Sequence, residues 1–179
     1  MNEAVHPKRR NFLGTVSLSL MAAAAQLAPA AEVLAATRAS SKSDATGVAH
    51  VDAYFEALAA KDKRGIVPHL AGNIELLGPI FAEPTQGRET VVQVLAGFLD
   101  TIDTLEVHGQ LASGRDVAVF FSFTVQGITV KGNEHLHLDE NGLIDHIEVA
   151  WRPLPAAVQV QEIIARKLGF QPLRLVPAA

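Results

Sequence analysis

The chain has 179 residues, 49% hydrophobic and 19% charged, with no cysteine and a formal net charge of -4, which fits one globular domain better than two. Its 13 glycines and 9 prolines follow no short period, so collagen-like and low-complexity classes are excluded. The lack of cysteine removes a disulfide framework, a thiolate zinc site and a cysteine nucleophile, and the acidic balance leaves no electrostatic footprint for nucleic acid.

Residues 1–39 read as an export segment. Lys8, Arg9 and Arg10 precede a chargeless stretch from Gly14 to Ala31, the charged and apolar regions of a secretory signal. Ala28-Pro29-Ala30, Val33-Leu34-Ala35 and Thr37-Arg38-Ala39 are candidate cleavage sites. Arg9-Arg10 followed by Asn11-Phe12-Leu13 resembles the twin-arginine motif, which implies the twin-arginine export machinery as a partner and a periplasmic or secreted location. The 18 residues from Gly14 to Ala31 also reach the lower length of a retained membrane helix. Removal of residues 1–39 takes away Lys8, Arg9, Arg10 and Arg38 against Glu3 and Glu32. That leaves 11 basic and 17 acidic residues and a net charge of -6.

Residues 40–47 are a polar linker. Val51, Tyr54, Phe55 and Leu58 then recur at helical spacing, which predicts a helix over about 48–60. Asp62 can cap a short second helix to about Leu70, Ala71-Gly72-Asn73 reads as a turn, and Ile74–Leu77 as a short strand halted by Gly78-Pro79. A third helix is expected over about 88–102 with Val91, Val92, Leu95 and Phe98 inward. Beyond it the period changes to two. Strands are expected from Leu105 to Leu111, Val117 to Gln126, Thr129 to Leu138 and Leu143 to Trp151, with Asn141-Gly142 closing the last hairpin. Three N-terminal helices and four long antiparallel strands make an α+β plan in which a curved sheet wraps the helices and encloses a pocket.

Four stretches carry a family resemblance: Ala53-Tyr54-Phe55-Glu56-Ala57-Leu58 with Lys61-Asp62; Gly78-Pro79 with Gly87-Arg88-Glu89; Phe120-Phe121-Ser122-Phe123; and Glu134-His135-Leu136-His137-Leu138 with Gly142-Leu143-Ile144. In this order the chain resembles the SnoaL-like and ketosteroid-isomerase-like members of the nuclear transport factor 2 fold, over residues 48–153. The resemblance implies a cone-shaped sheet, a homodimer through its convex face, no cofactor, and acid–base chemistry on an apolar steroid- or polyketide-like substrate. The steroid isomerases combine an aspartate base with a tyrosine and a protonated aspartic acid that hold the oxyanion. The resemblance places the tyrosine at Tyr54, the acid at Glu134 and the base at Gly78, which has no side chain to take a proton. An isomerase, cyclase or lyase is one reading; a non-catalytic ligand-binding or dimerisation module is the other.

Strand alternation gives Glu134 an independent argument. Val130, Gly132, Glu134, Leu136 and Leu138 share one face, apolar apart from the acid, and across the hairpin that face meets Leu143, Asp145, Ile147, Val149 and Trp151. An acid alone on an apolar face has a raised pKa and can donate a hydrogen bond as the neutral form. Tyr54 and Glu134 are therefore the first catalytic candidates, and His69 and Asp145 are candidates for the missing base. Phe55, Leu76, Gly78, Phe98, Leu136, Val149 and Trp151 are the expected pocket wall. His135 and His137 point the same way on a strand and His146 lies across from them, but with Glu148 and Arg152 they read better as a polar dimer surface than as metal ligands. Residues 154–179 form a C-terminal helix and tail, in which Val160, Ile163, Ile164 and Leu168 make a stripe ended by Gly169. That helix either packs on the domain or serves as a lid or dimer arm.

Overall fold

A computed structural model describes residues 47–81 and 83–174. The expected export segment, its cleavage sites and most of the linker lie outside the described residues. No helix among the described residues is long and apolar enough to cross a membrane.

The first helix, α1, covers residues 47–59. Its predicted stripe is its buried face: Val51, Tyr54, Phe55 and Leu58 are all buried. The second helix expected from Asp62 is not an α-helix. The Asp62 carboxylate accepts hydrogen bonds from the backbone N–H groups of Arg64 and Gly65, closing a local turn. Only one 3-10 turn, Val67–His69, follows before the sheet begins. Three α-helices are therefore present among the described residues, with two of them ahead of the long strands.

β1 runs Leu70–Leu77 and absorbs the segment read as a turn, with its register shifting between Leu70 and Glu75. β2 (Thr85–Gln86) pairs with it and leads into α2, Arg88–Leu99, three residues shorter than expected. The long strands β3 (Thr104–Ser113), β4 (Asp116–Val125), β5 (Ile128–Leu138) and β6 (Ile144–Arg152) follow the predicted order. Together they form a curved six-stranded sheet in the order β2-β1-β6-β5-β4-β3, parallel only between β1 and β6. β4 and β5 join through Gln126 and Gly127, both at positive φ, the two-residue turn whose twist matches its strands. That turn fixes Val119 opposite Glu134.

The last helix, α3, spans Leu154–Leu168 and stops at Gly169, whose φ of 78° gives the left-handed cap that glycine adopts without strain. It packs against β5, β6 and α2. A Cβ at Gly97 of α2 would overlap the Leu168 side chain, so the missing side chain is what lets the end of α3 approach α2. The core fills the space between the helices and one face of the sheet.

Candidate functional site

β5 positions the central group. Glu134 pairs with Val119 of β4 and Val149 of β6, and it shares the inner face with Val130, Leu136 and Leu138, all buried. A Cβ at Gly132 would come 2.6 Å from Phe121 Cζ, so the bare glycine is what allows the Phe121 ring to lie across β5. Trp151, opposite Gly132, packs its ring 5.1 Å from Phe123 and 6.1 Å from Phe98, measured between centroids.

Over this face lies a narrow apolar pocket that opens to solvent. β1 and the turn after it supply Leu76, Gly78, Pro79, Ile80 and Phe81. From α2 come Val94, Leu95 and Phe98, and from the sheet Phe121, Val149 and Trp151; α3 adds Ile164 and Leu168. Glu134 is the one titratable residue of this lining among the described residues. Its Oε2 is buried without a hydrogen-bond partner, as are the Tyr54 hydroxyl and Trp151 Nε1. Burial pushes the Glu134 carboxyl from the ordinary 4.5 up to about 8. The group is then a neutral acid at pH 7, able to donate its proton to an oxygen that enters the pocket.

The other expected residues distribute unevenly. Leu76, Gly78, Phe98, Val149 and Trp151 border the pocket, whereas Phe55 and Leu136 are buried in the core and are not part of its lining. Tyr54 is fully buried on α1 and is also outside the lining. Burial, and secondly the charge of Glu134, hold its phenol well above the usual range. It is therefore an electrostatic neighbour of Glu134.

His69 lies in the 3-10 turn, away from the pocket lining, with its Nδ1 2.9 Å from Nδ1 of His50. Burial, then the His50 charge, lower its pKa. Asp145 does not share Glu134's face. Leu138 pairs with Ile144 and His137 with His146, so Asp145 is an extra residue in the ladder and the alternation slips by one. Asp145 consequently turns outward, 2.7 Å from His137 Nδ1.

At Gly78, where the resemblance places a base, an added Cβ would stand 2.9 Å from Cδ2 of Phe81. The Phe81 ring thus occupies the space that a side chain there would need. Ile80 and Phe81 are wall residues that periodicity could not supply, and Ile164 joins them from the α3 stripe. Leu168 is legible as part of the α3 stripe, but its partner across the pocket is not.

The family model of the SnoaL-like domain matches residues 51–147. No curated protein matches the chain in sequence. Among solved structures, a steroid delta-isomerase from Pseudomonas aeruginosa superimposes with a TM-score of 0.65 at 28% identity, over 70% of this chain and 93% of that one. A conserved bacterial protein with a cystatin-like fold from Silicibacter pomeroyi DSS-3 gives a TM-score of 0.64 at 22% identity, over 67% and 85%. An epoxide hydrolase/cyclase-like enzyme with a role in pyran ring formation in the polyether salinomycin gives 0.53 at 20%, over 59% and 90%. The last two likenesses are of fold alone.

Proposed function

This chain belongs to the SnoaL-like domain family, and from that premise we propose that it is an exported protein that binds an apolar, carbonyl-bearing small molecule of steroid or polyketide type. The supporting observation is Glu134 Oε2, buried without a partner on an otherwise apolar pocket wall. A buried polar atom left unsatisfied costs about 1–3 kcal/mol, and a ligand oxygen removes that cost. The apolar walls supply affinity, and the neutral acid supplies orientation. Polarising a carbonyl in this way is also half of a cofactor-independent isomerisation, cyclisation or elimination. The other half needs a base. Gly78 and the apolar lining favour the second reading, a binding module without turnover.

Export rests on Arg9-Arg10 with Phe12-Leu13 and the chargeless Gly14–Ala31 stretch. Intact-mass measurement of periplasmic protein checks it: a chain shortened by about 30 to 39 residues is expected, and an untrimmed N-terminus contradicts it. The outer sheet face, where Leu111 and Phe120 are exposed, is proposed as the homodimer contact.

Trp151 is the sole tryptophan of the chain and lies in the pocket wall, so its fluorescence reports binding of an aromatic ketone such as 2-acetonaphthone. Glu134→Leu is expected to weaken binding roughly tenfold, the worth of one hydrogen bond. Glu134→Gln keeps a donor and should retain affinity. Equal affinity in wild type and Glu134→Leu contradicts the pocket assignment, and turnover of a β,γ-unsaturated ketone by the wild type would decide for catalysis.

A further inference from the structure

Beside the pocket, between β6, α3 and the turn after β1, lies a second and wider cavity that also opens to solvent. The two cavities have Pro79, Ile80, Val149 and Trp151 in common, so they adjoin across one wall. Leu154, Ala157, Val158 and Gln161 form its far side at i, i+3, i+4 and i+7, one face of α3. A neighbouring face of the same helix sends Ile164 and Leu168 into the inner pocket. α3 thus carries two stripes, one for each cavity.

The rim of this groove is held in place. The buried Gln161 amide donates from Nε2 to the Leu173 carbonyl at 2.7 Å and accepts at Oε1 from the Leu173 N–H at 3.0 Å. This two-bond clip lays the chain after Gly169 back along α3 and makes Leu173 a groove wall. At the same rim Leu154 and Leu173 are large apolar side chains exposed by 62% and 58%. Such surface is stabilised by an apolar occupant and not by water.

We infer that this groove is the outer half of the ligand site and takes an apolar extension, an alkyl chain or a further ring, of the molecule whose oxygen meets Glu134. The inference rests on the pocket reading above and adds the ligand's length to it. The wall shared through Pro79, Ile80, Val149 and Trp151 points to the same molecule as the occupant, because an extension that passes these side chains exchanges one apolar surface for the next. The matched family segment ends at residue 147 and α3 begins at Leu154, so the length preference is set by a helix outside that segment.

The test compares acetophenone with 4-octylacetophenone, two neutral ketones with one head group, by Trp151 fluorescence on the wild type and on Ala157→Phe, with Val158→Phe as the second groove-filling variant should the first fail to fold. The octyl ketone is expected to bind the wild type at least tenfold more tightly, since several methylenes leave water. In the variant that advantage should fall to threefold or less while acetophenone affinity is unchanged. Acetophenone bound with no octyl advantage, or an advantage that survives groove filling, overturns the groove and leaves the pocket standing. Neither ketone bound by the wild type overturns both. Sedimentation of the two proteins identifies the remaining occupant: a dimer lost in Ala157→Phe would show that a second copy of the chain covers the groove, which also overturns the inference.

Discussion

Glu134 and its neighbours His135 and His137 stand on one strand and face opposite ways. On the outer face three histidines each have a carboxylate beside them: His135 with Asp116 at 2.9 Å, His137 with Asp145 at 2.7 Å, His146 with Glu75 at 3.4 Å. These groups are in contact with water, and their pairs form with little desolvation. On the inner face a single carboxyl is buried among apolar side chains with one oxygen unpartnered. The contrast separates two uses of polar residues in the same sheet. Outside, they pair with one another in contact with water; inside, one group is held out of water with an oxygen unpartnered.

The largest expected effect is on stability against pH. Below pH 4.5 the Glu134 carboxyl is protonated in both folded and unfolded chains, and above about 8 it is ionised in both. Between those values the unfolded chain holds fewer protons, so the stability of the folded chain is greatest below 4.5 and falls as pH rises to 8. At about 1.4 kcal/mol per pKa unit the loss approaches 4 to 5 kcal/mol. Glu134→Gln should abolish it, and urea unfolding across that range measures the difference. Outer-face variants such as His137→Asn should leave that difference intact.

A second effect concerns Gly78. Gly78→Asp forces the Phe81 ring aside and should destabilise the fold by about 1–3 kcal/mol, the usual range for overpacking. Phe81→Ala in the same chain should recover part of that by making room, and thermal unfolding of the single and double variants reads the coupling. Additive losses would contradict the steric account.

Smaller again is the effect at Tyr54. Removing an unpartnered buried hydroxyl with Tyr54→Phe should raise stability by about 1 kcal/mol, the low end of the cost of leaving such a group unsatisfied. It should alter ketone affinity less than threefold, because Tyr54 lies behind the pocket wall. A tenfold loss of affinity would place the phenol at the ligand. Least affected should be the outer pairs: replacing His135 or His137 by asparagine is expected to cost no more than about 1 kcal/mol and to leave ketone binding untouched.

Much of this is legible in the amino-acid sequence. The α1 stripe, the four long strands, the α3 stripe with its Gly169 stop and the inward placement of Glu134 all follow from period and turn chemistry, which are local properties. Alternation puts Asp145 on the inner face and the structure puts it outside, because one inserted residue reverses the alternation and nothing in Leu143-Ile144-Asp145-His146 marks the insertion. Asp62 supports a helix cap or an Asx turn equally well, and the turn prevailed. The pocket was only half legible. Leu76, Phe98, Val149 and Trp151 come from elements whose inward faces are periodic, whereas Phe81 lies in a turn and Leu168 reaches the pocket through the contact of α3 with Gly97, a relation between distant parts of the chain.

The account depends on the protonation of one group. Carbon-13 NMR of protein labelled at the glutamate carboxyls, with Glu134→Gln to assign the resonance, follows that group directly. The expected result is a titration midpoint near 8 for Glu134, moved higher when 2-acetonaphthone is added. A midpoint in the ordinary range near 4.5, or one that the ketone leaves unmoved, would contradict the claim that Glu134 meets the ligand as a neutral acid.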